Sequence, residues 1–236
     1  MCKENNFDIL CLQETHRGDA SHRPCIDGMI LVTERPHDQY GSAIFAKPNL
    51  PIKSTAITCD NDVEILTVEL ESCSISSVYK PPNNAFNFAE PNNKNQRLKI
   101  LIGDFNCHST SWGYRQTNDD GEKLESWVEE MGLQLTHDSK LPHAFSSARW
   151  KQGYNPDNLF VSEELAQQAT KNVEHSIPIT QHRPITCNIT AVVTPQEVPF
   201  KRRFNFRKAK WKDFTKELDN EVQKLKPEIN QNMITL

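Results

Sequence analysis

In the run LKILIGDFNCHSTSWG, residues 98–113, an apolar segment leads directly into Gly-Asp-Phe-Asn. Leu98, Ile100, Leu101 and Ile102 predict a strand buried on both faces, and Gly103 permits a sharp turn where that strand ends. Asp104 and Asn106 then emerge at the strand tip. Residues two apart on an extended chain point the same way, so a carboxylate and a carboxamide are offered to one place. The carboxylate accepts hydrogen bonds and can take a proton, while the carboxamide both donates and accepts. The pair suits an attacking water beside a phosphate oxygen. It equally suits an Asx-rich turn that satisfies its own backbone, and the rest of the chain decides between the two.

At 236 residues the chain is expected to form one domain, or one domain with an appendage, with enough apolar residues for a real core. No apolar run reaches the roughly 18 residues that span a bilayer, and Met1-Cys2-Lys3-Glu4-Asn5-Asn6 does not read as a signal peptide. A soluble intracellular protein with no membrane partner is the expectation. The seven cysteines are odd in number and contain no Cys-x-x-Cys pair, so neither a disulfide framework nor a zinc knuckle is indicated. Charge is unevenly spread, with a balance of −9 up to Pro199 and +5 from Phe200 onward. An acidic main domain repels a polyanion unless metal ions or a basic rim intervene, and the tail can supply that attraction.

In chain order, Phe7 to Leu12 predicts a short buried strand with Glu14 at its exit, either a solvated edge residue or part of a shared site. Strand-like runs then follow at Met29–Thr33, Ser42–Ala46, Ile52–Thr58, Val63–Leu70 and Ser74–Tyr79. The alternation in Val63–Leu70 predicts one face wetter than the other, and Asp60-Asn61-Asp62 predicts a hairpin turn. Pro81 and Pro82 end the series just after Tyr79, which is either a packed strand terminus or a phenol aimed at a phosphate oxygen. Phe86–Gln96 is polar and at best weakly helical. Leu124, Trp127, Val128 and Met131 give residues 121–131 the spacing of an amphipathic helix, and Leu133–Thr136 predicts a short strand. Arg149 and Trp150 fall in a predicted loop, 149–156, that either touches nucleic acid or packs its tryptophan. Asp157 heads another strand, and His182 precedes the last, Ile185–Val193. A histidine near a carboxylate is a general acid or base at neutral pH. Glu14, Tyr79, Asp104, Asn106, Asp157 and His182 all fall at strand ends spread across the chain.

LQET, VYKPPN, IGDFN, NPDNLF and QHRP, in this order, resemble the endonuclease/exonuclease/phosphatase superfamily. DILCLQETH, LIGDFNCHSTSWG and SSARWKQGYNPDNLFVS narrow the resemblance to the apurinic-type endonuclease domain of non-LTR retrotransposons, over about residues 5–193. The resemblance implies an α/β fold, a four-layer sandwich of two mixed sheets flanked by helices with the active site at one end. It also implies that Glu14 holds Mg2+ (or Mn2+), Tyr79 and Asn106 contact the phosphate, Asp104 aligns or deprotonates the water, and Asp157 pairs with His182. Hydrolysis of a DNA phosphodiester follows, and a nuclear location if the protein is functional. Element RNA and a reverse transcriptase domain, which this chain lacks, are further implied partners.

Two features depart from the family pattern. Where the family has Ser-Asp-His this chain has Thr180-Gln181-His182, so Gln181 is a weaker candidate ligand to the metal. The family's first strand, with its metal-holding asparagine, lies ahead of residue 1, which predicts marginal stability and exposed apolar surface. Residues 194–199 read as a linker to a tail that leads toward the reverse transcriptase. Residues 200–212 carry seven basic residues, among them Lys201, Arg202, Arg203 and Arg207, interleaved with Phe204, Phe206 and Trp211. That run is either a DNA-binding segment or a solvated linker. Trp211, Phe214, Leu218, Val222 and Leu225 then predict an amphipathic helix. Three readings stand: a nicking endonuclease, a phosphatase of the same superfamily, and an impaired remnant that binds nucleic acid.

Overall fold

The computed structural model describes residues 7–18, 25–87, 97–178, 180–190 and 210–229. The chain forms two compact units, Met1–Val198 and Pro199–Leu236. The first contains β1 (Ile9–Gln13), β2 (Ile30–Arg35), β3 (Ser42–Ala46), β4 (Ser54–Asp60), β5 (Val63–Glu69), β6 (Cys73–Tyr79) and β7 (Leu98–Asp104). After them come α1 (Asp119–Glu130), β8 (Leu133–Leu135), β9 (Phe145–Ser147), β10 (Gln152–Tyr154), β11 (Asp157–Ser162), β12 (Ala169–Val173) and β13 (Ile185–Ile189). The second unit contains α2 (Trp211–Ile229), on which Trp211, Phe214, Leu218 and Val222 are exposed. None of the described helices is long and apolar enough to cross a membrane.

Six strands form the principal sheet in the order β4-β5-β6-β7-β11-β8, with β6 and β7 parallel and the other pairs antiparallel. Both of its faces are covered. On one side α1 lays Leu124, Trp127 and Val128 against Val63, Ile65, Val78, Leu101 and Phe160. On the other, Leu66, Val68, Ile100, Leu159 and Val161 meet Ile44 and the half-buried Ile9, Cys11, Cys187 and Ile189. Burial of apolar surface between three layers is therefore what holds the unit together.

The α/β sandwich implied by the sequence is present, with a difference in the second layer. That layer consists of an antiparallel three-stranded sheet, β1-β3-β2, and a separate antiparallel pair, β12-β13. Among the described residues β1 pairs only with β3. It lies over β6 and β7, while β13 lies over β11. Ile102, on the central strand β7, stays half-exposed beneath this division.

Other expectations are corrected. The predicted wetter face of β5 does not exist, because Glu64 is fully buried, taking hydrogen bonds from Gly41 N–H, the Ser42 hydroxyl and Arg35. A buried carboxylate is tolerated only when so paired. Residues 149–156 do not form a plain loop, since β9 and β10 make a short hairpin that encloses Arg149 and Trp150. The Asp60-Asn61-Asp62 turn is as expected, with Asn61 and Asp62 both at positive φ (47° and 61°), the geometry of a tight hairpin. Most of 86–96 and all of 191–209 lie outside the described residues.

Candidate active site

Register builds the site. Tyr79 of β6 is aligned with Asp104 of β7, and Asp104 with Asp157 of β11, so three functional side chains stand in one row across adjacent strand ends. The row requires β6 and β7 to approach closely at Gly103, where a Cβ would lie 1.9 Å from the Val78 carbonyl oxygen and φ is +155°. Only glycine fits there.

Asp104 and Asp157 are both buried. Asn106 sits at φ 45°, a left-handed conformation that asparagine tolerates better than most residues. From it the backbone N–H donates to Asp104 Oδ1 at 3.1 Å, and Nδ2 donates to Asp104 Oδ2 at 3.0 Å and to the Lys80 carbonyl at 2.9 Å. Asn106 therefore grips both oxygens of the carboxylate. Beneath it, fully buried Lys80 pairs with Asp120 of α1 at 3.0 Å, and its N–H donates to the Asp104 carbonyl at 2.9 Å.

His182 closes the other flank. Its Nδ1 lies 2.9 Å from Asp157 Oδ2 and its Nε2 4.0 Å from Asp104 Oδ2. Phe145 of the hairpin packs edge-on against the ring at 4.8 Å. Burial opposes the imidazolium, yet the Asp157 hydrogen bond and the charges of Asp157, Asp104 and Glu14 push its pKa up to about 9. Asp104 moves up as well, first through burial and then through the charge of Asp157. Behind the row, buried Lys171 donates to the Asp157 carbonyl at 2.8 Å.

Glu14, just past the end of β1, holds φ at 51° while the N–H groups of Thr15 and His16 bond to Gly41 and Tyr40 carbonyls at 3.0 and 2.8 Å. Tyr79 donates its phenol to Glu14 Oε1 at 2.7 Å. Burial, and then this hydrogen bond, raise the phenol's pKa, so it remains a donor. Gln181 is directed elsewhere. Its Oε1 accepts the Ala148 N–H at 2.8 Å and its carbonyl accepts the Ser146 N–H at 2.9 Å, which ties the hairpin to the segment that carries His182. At the hairpin's tip Trp150 is exposed, with the Arg149 guanidinium 4.8 Å over its ring. Lys201, Arg202, Arg203 and Arg207 lie outside the described residues.

Asp104, Asp157 and His182 bring their candidate ligand atoms within 4.8 Å of one another. Among the described residues no lysine or arginine side chain lies within ion-pair distance of Glu14, Asp104 or Asp157. The carboxylate oxygens of Glu14, Asp104 and Asp157 are hard donors of the kind that hold a divalent metal ion, beside an organic cation, the His182 imidazolium. Sequence reasoning missed Lys80 and Lys171. Each had a signal, a lysine set between Tyr79 and Pro81 in one case and a lysine in register with Ala169 and Val173 in the other.

The family model described as Endonuclease-reverse transcriptase matches residues 73–186. The fold is similar to the endonuclease domain of TRAS1, a telomere-specific non-LTR retrotransposon, at 15% identity and TM-score 0.54, covering 80% of this chain and 89% of that one. It is similar to the AP endonuclease LMAP from Leishmania major at 14% identity and TM-score 0.58, covering 80% of each chain. It is also similar to the APE2 catalytic domain of Xenopus laevis at 13% identity and TM-score 0.55, covering 83% and 86%. No curated protein matches the chain by sequence. The matched family model and the α/β sandwich agree with the resemblance of the sequence to the endonuclease/exonuclease/phosphatase superfamily, whose members include metal-dependent phosphoesterases and nucleases.

Proposed function

We propose that the chain is a DNA-nicking endonuclease domain derived from a non-LTR retrotransposon, hydrolysing one phosphodiester with Mg2+ or Mn2+ bound. The observation that carries this reading is the His182 imidazole bonded to Asp157 and facing Asp104, whose two oxygens are gripped by Asn106. Asp104 orients a water and takes its proton. Imidazolium at His182 stabilises charge that develops on the phosphate oxygens, and Asp157 holds the ring in place for that task. Tyr79 fixes the Glu14 carboxylate, which with Asp104 would hold the metal. A divalent ion held there would supply further charge neutralisation at the phosphate.

Arg149 and Trp150 at the hairpin tip, and the basic run through Lys201, Arg202, Arg203 and Arg207, are assigned to contacts along the DNA. Element RNA, a reverse transcriptase domain and a nuclear location belong to the same reading. One observation favours the impaired remnant instead: the side-chain oxygen of Gln181 is engaged by Ala148. The test sets nicking of supercoiled plasmid beside phosphate release from a sugar phosphate, each with Mg2+, Mn2+ or chelator. Metal-dependent nicking without phosphate release supports the endonuclease. Phosphate release alone identifies a phosphatase, and neither activity from folded protein identifies the remnant.

A further inference from the structure

Two rows of aromatic rings flank the carboxylates, and the roles proposed above use only one of their six members. On the Glu14 side, His37 and Tyr40 stack at 5.0 Å with 7° between their planes, and Tyr40 meets Tyr79 at 5.8 Å. On the Asp157 side, His108 and Tyr114 stack at 4.2 Å and 13°, and Tyr114 stacks on Tyr154 at 5.5 Å and 23°. Tyr79 of the first row bonds to Glu14 and lies in register with Asp104, while Tyr154 of the second lies in register with Phe145, whose ring packs on His182. One row therefore starts at the Glu14 side of the site and the other at the hairpin that packs on His182.

Both rows are fixed in place and end in a histidine. His37 Nδ1 accepts N–H groups from Gln39 and Tyr40 at 3.1 and 3.0 Å, which orients the ring and assigns its proton to Nε2. His108 is anchored through its backbone, whose N–H donates to Asn118 Oδ1 at 3.1 Å and whose carbonyl accepts the Asn118 N–H at 3.1 Å. Helix α1 comes so close that a Cβ on Gly121 would lie 1.8 Å from that carbonyl oxygen. Burial and then the charge of Lys80 lower the pKa of His108, so its ring is neutral at pH 7. The first row runs from buried Tyr79 to half-buried His37, and the second from half-buried Tyr154 to exposed His108.

Planar rings at two sides of an acidic cluster offer stacking surfaces to the nucleosides that flank each phosphate of a nucleic-acid strand. We infer that the two rows are nucleoside subsites, each receiving one base of an unpaired stretch of strand, so that the site selects base-bearing phosphodiesters over base-free ones. The inference rests on the phosphodiesterase reading of the site. Stacking on such rings tolerates any base, because every base offers a π-face. Selection here is for the presence of bases and for their being unstacked from a duplex.

The test is fluorescence anisotropy with two short single-stranded DNA oligonucleotides of equal length, one carrying bases and one carrying abasic sugar spacers, with metal chelated so that nothing is cut. The phosphates are the same, so electrostatics cancel. Base-bearing DNA is expected to bind about tenfold tighter, within the range for stacking on aromatic side chains. His37→Ala combined with His108→Ala removes the outer rings and is expected to close most of that gap, while His37→Phe with His108→Phe keeps it. Equal affinity for the two oligonucleotides, no binding of either, or a gap untouched by the alanine pair would overturn the inference. Because no turnover is measured, a protein that binds bases but never cuts sinks only the nuclease reading, and one that nicks without regard to bases sinks only this one.

Discussion

The two sheet layers of the first unit are made of similarly apolar strands and are buried very differently. In the six-stranded sheet, β6 (CSISSVY) is buried at every position although three of its seven residues are serines. In the facing layer, β1 (ILCLQ) is half-exposed at every position although four of its five residues are apolar. Composition does not explain the contrast, and pairing does. Strand β3, in the same layer as β1, is buried throughout because β1 and β2 flank it. Among the described residues both β1 and β13 end a sheet, and both sit over the larger one, where Ile102 is left partly uncovered. An apolar strand with an open edge is the least protected element of a sandwich, and the candidate site spans the boundary between the two regimes. Asp104 and Asp157 stand on the intact sheet, and Glu14 stands just past the end of β1.

The contrast can be broken in the core first. Phe160, buried against Phe105 and Trp112 at 5.3 and 6.3 Å, belongs to the intact sheet. Phe160→Ala is expected to cost about 4 kcal/mol in a urea titration. Glu64→Gln, which leaves Arg35 beside a neutral amide, is expected to cost about 3 kcal/mol by the same measurement. A loss under about 1 kcal/mol in either case would mean that the intact sheet is less tightly packed than its burial implies.

The His182–Asp157 pair gives a smaller and pH-dependent effect. Its pKa in the fold, about 9, lies above the ordinary 6.5, so its contribution is fully present below pH 6.5 and is lost as pH rises through about 9. The side chain is about a third exposed, and solvent screening limits the effect to about 1 kcal/mol. Melting temperatures from pH 6 to 10 for the protein and for His182→Gln should converge toward the alkaline end. Parallel curves would remove the pair from the stability account.

The smallest effect belongs to the divided layer. Leu10→Ala on β1 is expected to cost about 1 kcal/mol, less than a fully buried leucine, because Leu10 is only partly buried. Amide exchange should also be faster along β1 and β13 than along β6. Equal protection would show that the open edges are covered in solution.

Much of the site was legible because its residues lie at strand ends in a recognisable order, and strand ends are where an apolar run meets Gly103, Pro81 or a turn. The bonds that hold it together were not. Gln181 reads as a metal ligand by its position beside His182, yet a side chain's direction is set by tertiary neighbours, here the Ala148 N–H of the hairpin. Glu64 reads as a wetted position because a charged residue alternates with apolar ones, and its partners Arg35 and Ser42 lie more than 20 residues away. Strand β12 (ATKNV) gives no apolar signal of its own and is defined by pairing with β13. The hairpin's strands, three residues each, are too short to show a period.

The central claim is that the cluster of Asp104, Asp157 and His182 cleaves a phosphodiester. The most direct measurement is the rate of supercoiled plasmid nicking in Mg2+ by the protein and by Asp104→Ala, with circular dichroism confirming that both are folded. The account predicts nicking that chelator stops and that the substitution lowers by about a thousandfold, in line with loss of a positioned acid–base group. Nicking that persists in folded Asp104→Ala would contradict it.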